Sequence, residues 1–393
     1  MRRSYKFLLR PTSKQAAALE SCLEDCRQLY NAALEERREA WQAGRHRITF
    51  YSQDAQLKEI RQADPDYVRW AFACERETIR RLDRAFQAFD RRVRAGEGPG
   101  YPRFRGRARF DSVTWPQHGN GCRWDSVPHP SVTRVYLLGI GHVRVHRHRP
   151  VQGMVKTVNV KREGHRWHVV LSCDEVPAEP LPATGAAVGI DLGVASFLTA
   201  SNGISVPNPH PLLAVAEKLG DAQRFAARKK RGSKRRRKAI ARVAALHGKV
   251  RRTRLDHAHK TALALVRVSD VIVHEDLRMA NMTRRPRPRP VADGTYEPNG
   301  ATAKSGLNKA ILDAGWGVFL RVLASKAEEA GRVVIAVNPR HTSQRCAQCG
   351  HVAAGSRVTQ AEFTCLACGH RAHADVNAAI NILRAGLVLR EAA

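Results

Sequence analysis

The 393-residue sequence has no run of about 18 apolar residues, the length that a membrane-spanning helix needs. Its first residues, MRRSYKFLLRPTSKQ, lack the apolar core of a secretory signal. These two absences predict a soluble cytoplasmic protein with no membrane partner. Hydrophobic residues make up 43% of the chain, which is enough to form the cores of two or three domains.

Acidic residues are scarce relative to basic ones. The chain has 36 Asp and Glu against 67 Lys and Arg, a formal net charge of +31. Such an excess repels itself unless a polyanion offsets it, and nucleic acid is the obvious polyanion. A GC-rich genome would explain why Arg outnumbers Lys, but it would not explain why acids are few. The charge therefore predicts a nucleic-acid-binding protein.

Most of the nine cysteines lack the spacing of metal ligands or of a disulfide framework. Five of them stand alone in the sequence: Cys22, Cys26, Cys74, Cys122 and Cys173. Scattered thiols fit a reducing cytosol, where disulfides are rare. Cys22 and Cys26 are four residues apart on a predicted helix, and we expect them to be packing residues.

The other four cysteines form two CxxC pairs. Cys346 and Cys349 are separated by 15 residues from Cys365 and Cys368, and each pair is followed by Gly. This spacing predicts a tetrahedral site of four thiolates that holds Zn²⁺. No coordination position is left open, so the zinc would be structural and would fold a module too small to have its own core.

The hydrophobic pattern of the first half changes from helical to β-like. A short strand is predicted at 2–9, and helices follow from about residue 14 to 94. Val-rich segments separated by turn residues then predict strands at 131–138, 141–148, 154–161 and 165–173. Apolar and cationic residues alternate in the segment 141–148, which fits either a phosphate-binding face or a solvated one. Residues 177–184 have the composition of a linker.

The second half has an α/β pattern. Strands are predicted at 187–192, 196–201, 270–274 and 332–338, with a long helix after the second strand, a helix at about 308–330 and a last helix at 375–387. The connection 283–307 contains RRPRPRP and several Gly. It is too long for an idle loop, so it is either disordered or functional.

Three acidic residues lie where a carboxylate needs an explanation. Asp191 lies in the apolar strand VGIDLG, and burying a lone carboxylate costs several kcal/mol unless a cation or hydrogen bonds compensate it. Glu275 ends the strand VIVHE, and Asp375 opens the last helix. Each has a structural alternative: a turn cap, a rim-exposed side chain and a helix N-cap, respectively. Two acids on one sheet and a third on a helix across it nevertheless indicate a single site.

Three carboxylates without accompanying His or Cys suit Mg²⁺ or Mn²⁺. Two such ions can activate water and stabilise the leaving oxygen in phosphodiester hydrolysis. This chemistry needs no covalent nucleophile, and no Ser–His or Cys–His arrangement stands out in the sequence to supply one. The acids therefore predict a metal-dependent nuclease.

The segment 224–254 is a basic run. Fifteen of its 31 residues are Lys or Arg and none is Asp or Glu. Ile240, Val243, Leu246 and Val250 recur at helical spacing, which predicts an amphipathic helix with a basic outer face. A solvated charged face would normally include acids, so the run favours contact with phosphates.

Several blocks of the chain resemble the TnpB proteins of bacterial insertion-sequence transposons, which are relatives of the type V CRISPR effectors. The resemblance covers nearly the whole chain, and its blocks occur in family order. They are AFQAFDRRVRAGEGPGYPRFRGRARFDSVTWP (85–116), GIDLGVASFLTASNG (189–203), KKRGSKRRRKAIARVAALHGKVRRTRLDHAHK (229–260), HEDLRMANM (274–282), LNKAILDAGWGVFL (307–320), NPRHTSQRCAQCGH with the second CxxC pair, and ADVNAAINIL (374–383).

The resemblance implies a multidomain protein of the α+β and α/β classes. A β-barrel wedge domain is expected at 1–12 and 101–182, and a helical recognition insert at 13–100 splits it. An RNase H-like (RuvC) nuclease domain is expected at 183–340 and 371–393. A zinc-binding module for target nucleic acid is expected at 341–370, inserted into the nuclease domain.

The functional residues of the family carry over one by one. Its catalytic acids, which would bind magnesium, fall on Asp191, Glu275 and Asp375, and its zinc ligands fall on Cys346, Cys349, Cys365 and Cys368. The family often has an acid–basic pair just before the last catalytic Asp. His373 and Ala374 stand there instead, which puts in doubt any contact that this pair makes.

Basic residues of the helical half and of the basic run are the candidates for holding nucleic acid. We expect them to contact phosphates, while base pairing with an RNA supplies sequence choice. They are Arg80, Arg81, Arg84, Arg228, Lys229, Lys230, Arg231, Lys234, Arg235, Arg236, Arg237, Lys238, Arg251 and Arg252.

The expected function is that of a transposon-encoded, RNA-guided DNA endonuclease that cuts beside a short transposon-adjacent motif. Its expected cofactors are structural Zn²⁺ and catalytic Mg²⁺ or Mn²⁺. Its expected partners are a guide RNA from the transposon end and double-stranded target DNA, in the bacterial cytoplasm and on the nucleoid when bound to DNA. The alternatives are a guided repressor that binds without cutting, an RNA-independent transposase or resolvase, and a CRISPR-associated effector.

Overall fold

The computed structural model describes residues 1–127, 129, 131–292 and 294–392. The chain divides into two compact units, Met1–Pro177 and Ala178–Ala393. Each unit has its own sheet and its own buried core. The protein is therefore a multidomain chain of mixed α and β structure, as the sequence predicts.

The helices of the first unit follow its first strand. They are α1 (Ser13–Gly44), α2 (Phe50–Ala63), α3 (Pro65–Val68) and α4 (Phe72–Arg94). Thr12 begins α1 with a capping box, in which its side chain accepts from the Gln15 amide and the Gln15 side chain accepts from the Thr12 amide. The predicted helical stretch from about residue 14 to 94 is confirmed.

The sheet of the first unit has seven strands. They are β1 (Arg3–Arg10), β2 (Ser112–Trp115), β3 (Cys122–Trp124), β4 (Thr133–Leu137), β5 (Gly141–His146), β6 (Met154–Glu163) and β7 (Arg166–Asp174). Their order is β2-β6-β7-β1-β5-β4-β3, and all neighbours are antiparallel. One face packs on α1 and α4. The sequence predicted five of these strands and missed the short β2 and β3.

This sheet is open. Within the described ranges its edge strands, β2 and β3, pair with β6 and β4 but not with each other. The closed barrel that the resemblance implied is therefore not confirmed. The first strand of the chain lies between β7 and β5, so pairings across most of the unit's length assemble the sheet.

The second unit contains a mixed sheet of five strands. They are β8 (Ala187–Asp191), β9 (Ser196–Ala200), β10 (Ser205–Pro207), β11 (Val271–Glu275) and β12 (Val333–Val337), in the order β10-β9-β8-β11-β12. β11 runs parallel to β8 and β12, whereas β9 is antiparallel to β8 and β10. Parallel neighbours require crossover connections, and helices supply them here.

The helices of this unit cover both faces of the sheet. They are α5 (Ala216–Ala227), α6 (Lys234–Val268), α7 (Met279–Met282), α8 (Ala301–Ala314), α9 (Trp316–Ala330) and α10 (Ala374–Glu391). Ile272 of β11 belongs to the core with α6 and α9, whereas its neighbours Val271 and Val273 pack with Ile382 of α10. Side chains alternate between the faces of a strand, so α10 lies opposite α6 and α9.

Gly189 allows α10 to approach the sheet closely. A Cβ atom at this position would lie 2.2 Å from the backbone oxygen of Ala379, which is far inside contact distance. A side chain there would push α10 away from β8. The glycine in GIDLG is therefore a packing requirement of the layer that carries Asp375.

One helix prediction is wrong. The predicted helix at about 308–330 is two helices, because Gly315 adopts a left-handed conformation with φ of 74° and ends α8. The long helix predicted after β9 is present as α6, and the sequence missed the shorter α5 that precedes it. The connection 283–307 is shorter than predicted because α8 begins at Ala301.

The cysteine-rich segment between β12 and α10 contains a small hairpin of β13 (Glu362–Thr364) and β14 (Arg371–His373). Short 3-10 turns occur at Leu213–Val215 and Ala354–Ser356. None of the helices in the described ranges combines the length and apolar character that a membrane crossing needs.

Candidate functional site

Asp191 and Glu275 are neighbours at one edge of the five-stranded sheet. Each is the last residue of its strand, β8 and β11, and these strands are parallel. Their register pairs Ile190 with His274, so the next residue of each strand is the acid. The carboxyl ends of parallel strands meet at one sheet edge, which places the two acids side by side.

Asp375 reaches this edge from α10, which packs on β8 and β11. It lies in the first helical turn, where the positive end of the helix dipole favours an anion. The N-cap of α10 is His373, whose Nδ1 accepts from the Asp375 amide. The alternative in which Asp375 is the N-cap is therefore wrong.

Glu275 and Asp375 act electrostatically on Asp191. Burial, together with the negative charges of Glu275 and Asp375, raises the pKa of Asp191 to about 7, and the Arg357 guanidinium opposes this shift. Burial also raises the pKa of Glu275, against the effect of a hydrogen bond from Thr342. Carboxylates held together against their own repulsion are suited to binding cations.

Two side chains that sequence reasoning missed contact these acids. Arg357 Nη2 donates to Asp375 Oδ1 at 3.0 Å, and Thr342 Oγ1 donates to Glu275 Oε1 at 2.5 Å. These contacts span 18 and 67 residues of sequence, so no local pattern indicates them. The sequence offered one indirect signal for them: both residues lie in the cysteine-rich segment, which comes directly before the helix that carries Asp375.

The structure brings Cys346, Cys349, Cys365 and Cys368 together, with their four sulfurs all within 4.8 Å of one another. The Sγ–Sγ distances are 3.8 Å for Cys346 to Cys368 and 3.6 Å for Cys349 to Cys365. Tetrahedral Zn²⁺ with Zn–S bonds of about 2.3 Å needs sulfurs about 3.8 Å apart. The four-cysteine group can therefore hold a metal ion.

The two CxxC pairs have the same backbone geometry. The amides of Gly350 and Gly369 donate to the carbonyls of Cys346 and Cys365, at 3.0 Å in each pair. Amides also face the thiols: the Gln348 amide donates to Cys346 Sγ at 3.4 Å, and hydrogen bonds from the backbone of Cys368 and Ala367 lower the pKa of Cys365 to about 6. A lowered thiol pKa favours the thiolate that binds metal.

Helix α10 holds the module through two buried asparagines. Asn377 Oδ1 accepts from the Ala347 amide at 2.8 Å, and its Nδ2 donates to the Arg345 carbonyl at 2.8 Å. Asn381 Nδ2 donates to the carbonyls of Thr342 and Arg345. The first CxxC pair and the acid cluster are therefore fixed to the same helix.

A second thiol group lies in the first unit. The sulfurs of Cys22, Cys26 and Cys74 also lie within 4.8 Å of one another, and all three residues are buried in the core between α1, α4 and the sheet. Buried thiols behave as small hydrophobic groups, which agrees with the predicted packing role of Cys22 and Cys26. The sequence did not reveal that Cys74 joins them.

The candidate arginines of α4 have different surroundings. Arg81 is half-buried, donates to the Ser112 carbonyl at 3.1 Å and lies over the Phe110 ring, and burial lowers its pKa. Arg80 and Arg84 are exposed, although Arg84 pairs with Glu77. Exposure therefore favours Arg80 over Arg81 for contact with nucleic acid.

The candidates of the basic run extend from the end of α5 into α6. Most are exposed: Arg228, Lys230, Arg231, Lys234, Arg235, Arg237, Lys238, Arg251 and Arg252. Lys229 is half-buried and lies 4.1 Å from the Phe225 ring centroid. Arg236 is half-buried and donates to the carbonyls of Ala226 and Lys229, so it closes the turn between the helices.

Fold and site together define a multidomain α/β protein with a carboxylate cluster at the edge of a mixed sheet and an adjoining four-cysteine module. Three family profiles match the chain: "Helix-turn-helix domain" at residues 1–46, "Probable transposase" at 159–285 and "Cas12f1-like, TNB domain" at 316–382. Residues 1–46 form a strand and one continuous helix, not a helix-turn-helix.

Two relatives align over almost the whole chain. The protein provisionally named RNA-guided DNA endonuclease InsQ, from Escherichia coli K12, is 33% identical over 98% of this chain and 92% of its own length. A protein of Streptomyces pristinaespiralis with the same provisional activity is 31% identical over 98% and 90%. The chain belongs to the TnpB family of transposon-encoded proteins.

A solved structure has a similar fold. The mini-RNA-guided endonuclease CRISPR-Cas_phi3 superposes with a TM-score of 0.55, over 98% of this chain and 92% of its own, at 11% identity. At that identity the similarity concerns the fold alone.

Proposed function

We propose that this chain is an RNA-guided DNA endonuclease of an insertion-sequence transposon, which cuts target DNA by divalent-metal-dependent phosphodiester hydrolysis. The observation that carries the proposal is the meeting of Asp191, Glu275 and Asp375 at one sheet edge. The full-length similarity to two proteins named as RNA-guided DNA endonucleases supports the guide and the DNA target.

The donor set fits Mg²⁺ or Mn²⁺, because it consists of carboxylates alone. Bound there, such ions would activate a water molecule and stabilise the leaving oxygen. In the described part of the chain, two groups have ligand atoms within 4.8 Å of one another, and both are cysteine groups. The three acids do not form such a group, so at least one pair of their carboxylates is more than 4.8 Å apart.

The chain's own residues prepare this site. Asp191, Glu275 and Asp375 supply the ligand oxygens, and Arg357 offsets part of their charge through Asp375. The half-buried sheet edge strengthens each of these electrostatic interactions, since water screens them less than at an exposed surface. Cys346, Cys349, Cys365 and Cys368 would hold a structural Zn²⁺, because their sulfur spacing matches a closed tetrahedral site.

We propose a wedge domain with a helical insert, a nuclease domain and a zinc module. The wedge domain at 1–12 and 101–182 with its insert at 13–100 is supported by the first unit, in which helices interrupt an antiparallel sheet after β1. The RNase H-like (RuvC) domain at 183–340 and 371–393 is supported by the mixed sheet with helices on both faces. The module at 341–370 interrupts that domain between β12 and α10.

Guide RNA and DNA are the proposed partners of the basic surfaces. Helix α6 begins with the basic residues 234–238 and has no acid in its first turn, although positive charge at a helix N-terminus opposes the helix dipole. A bound polyanion would remove this conflict and the general charge excess. The protein would therefore act in the bacterial cytoplasm, on the nucleoid where its DNA substrate lies.

The test is cleavage by the purified protein with its own RNA. Sequencing the small RNA that co-purifies gives the target rule, and plasmids with that target are then incubated with Mg²⁺ and complex. We expect the wild type to cut, and we expect Glu275→Gln to bind target but to cut at least about a hundredfold more slowly, since metal stabilisation of several kcal/mol is lost.

Two outcomes would contradict the proposal, and a third would identify a misfolded variant. Equal persistence of plasmid with wild type and Asp191→Ala, over varied metal and temperature, would favour a guided repressor. Cutting without RNA would favour a transposase or resolvase, the activity that the "Probable transposase" profile names. Loss of target binding in Glu275→Gln would show misfolding rather than lost chemistry.

A further inference from the structure

The Glu275 carboxylate is held by a side chain from outside its own sheet. Thr342 Oγ1 lies 2.5 Å from Glu275 Oε1, a length typical of a hydroxyl that donates to a charged carboxylate. The same hydroxyl lies 3.0 Å from the Pro339 carbonyl oxygen. A hydroxyl has one proton to donate, and the shorter contact to the anionic oxygen takes it.

Thr342 itself is rigidly fixed. It is 7% exposed, and its carbonyl accepts from Asn381 Nδ2 at 3.0 Å. The same amide donates to the Arg345 carbonyl at 2.7 Å, one residue before the first cysteine of the four-cysteine group. Asn381 therefore anchors Thr342 to α10, the helix that carries Asp375. The same asparagine also binds the chain next to the four-cysteine group.

We propose that Thr342 is a positioning residue for Glu275: its hydroxyl fixes the carboxylate plane by bonding to Oε1, which leaves Oε2 for a divalent ion. This inference rests on the proposed function, because it assumes that Glu275 is a metal ligand. A carboxylate with two free oxygens can rotate, and each unproductive rotamer costs metal affinity. Partners that orient metal ligands in this way typically contribute 10–100-fold to affinity or activity.

The contact of Thr342 with Glu275 also connects the cysteine-rich segment to the proposed metal site. This segment contributes two side chains, Thr342 to Glu275 and Arg357 to Asp375, so it orients two of the three acids. A folded module is then needed for a correctly shaped ligand set, and not only for contact with nucleic acid.

Two substitutions separate the hydroxyl from the rest of the side chain. Thr342→Val keeps the shape and loses the hydroxyl, whereas Thr342→Ser keeps the hydroxyl and loses a methyl group. Thr261→Val is the matched control, because Thr261 is equally buried but lies on α6, outside the strands and the helix that carry the acids. All variants are prepared as full chains with their co-purified RNA.

Mn²⁺ affinity is the decisive readout and does not depend on cleavage. Electron paramagnetic resonance of free Mn²⁺ gives the dissociation constant, and cleavage is followed against Mg²⁺ concentration. We expect Thr342→Val to weaken Mn²⁺ binding about 10–100-fold and to raise the Mg²⁺ requirement for cleavage similarly. Thr342→Ser and Thr261→Val should behave as wild type, and every variant should retain one Zn²⁺ per chain.

Other results would overturn the inference. Wild-type Mn²⁺ affinity in Thr342→Val would show that the hydroxyl has no positioning role, and equal losses in Thr342→Val and Thr342→Ser would assign the effect to packing. Loss of Zn²⁺ from Thr342→Val alone would assign it to module folding. Failure of the proposed function looks different, because Glu275→Gln would then bind Mn²⁺ as tightly as wild type.

Discussion

Asp191 is the residue whose ionisation depends most clearly on the folded structure. Its strand is apolar and its neighbours across the sheet edge are acids, so burial and repulsion both favour the neutral form. A carboxyl with a pKa of about 7 is half protonated at neutral pH, and it ionises more readily when a cation is near. Binding of a divalent ion should therefore release protons.

Without divalent ions, the stability of the protein should depend on pH because the pKa of Asp191 is raised. Because the folded pKa of Asp191, about 7, exceeds its ordinary value of 3.8, the folded state binds more protons than the unfolded state between these pH values. The free energy of unfolding therefore falls as pH rises through that window. We expect Asp191→Asn to remove this loss and to be more stable than wild type by about 2–4 kcal/mol at pH 8.

Denaturant unfolding in buffer without Mg²⁺ or Mn²⁺, at pH 4 and pH 8, measures the effect. The advantage of Asp191→Asn should be much larger at pH 8 than at pH 4. An advantage that does not change with pH would mean that Asp191 is ionised normally in the folded protein.

At the scale of elements, α10 determines the geometry of the site. It carries Asp375, packs on β8 and β11, and binds the module through Asn377 and Asn381. The sequence predicted this helix and its first residue well, because an apolar face at helical spacing is a local signal. It could not predict how closely α10 approaches the sheet, because that depends on Gly189 in β8, which is far from α10 in the sequence.

Gly189→Ala should disturb this layer. Its new Cβ would meet the Ala379 backbone oxygen at 2.2 Å, and backbone cannot move aside as a side chain can. We expect a loss of about 1–3 kcal/mol or more in the free energy of unfolding, with reduced cleavage as Asp375 shifts. Gly306→Ala in α8 is the control, because nothing lies within 4 Å of its Cβ, and it should be neutral or stabilising.

The cysteine module should depend on its metal ion. Cys346→Ser removes one thiolate, so we expect Zn²⁺ to be released and the last 50 or so residues to become sensitive to protease. Metal analysis and limited proteolysis measure this, with Cys173→Ala as a control that retains the metal. A Cys346→Ser variant that keeps one Zn²⁺ per chain would refute the four-thiolate assignment.

At the scale of the whole molecule, the charge of +31 is distributed unevenly. The basic run contains fifteen cations and no acid, although Arg224 and Arg254 at its two ends pair with acids outside the run. Many arginines of the first unit are paired with acids, as Arg2 and Arg47 are. A paired cation should contribute less to phosphate binding than one without a carboxylate partner, because it must first give up its carboxylate.

The salt dependence of DNA binding tests this difference. Replacing Arg235 and Arg237 by Gln should reduce the slope of log K against log salt by about 2, since each phosphate contact contributes about 0.9. The double variant Arg2→Gln/Arg47→Gln loses the same net charge and should leave the slope nearly unchanged. Equal reductions in both would mean that net charge alone governs binding.

The sequence by itself determined the residue types and the local elements: the CxxC pairs, the three acids, the basic run and most strands and helices. These are local signals, because spacing and periodicity are set by neighbouring residues. The catalytic and nucleic-acid-binding assignments made from them stay predictions until the experiments above are done.

Only the tertiary structure decided which distant side chains meet. The contacts of Thr342 with Glu275 and of Arg357 with Asp375, the joining of Cys74 to Cys22 and Cys26, and the open edge of the seven-stranded sheet all depend on packing between elements far apart in the chain. Hydrogen bonds and contacts between remote residues leave no periodic trace in sequence, so the physical reason for these features appears only in the folded protein.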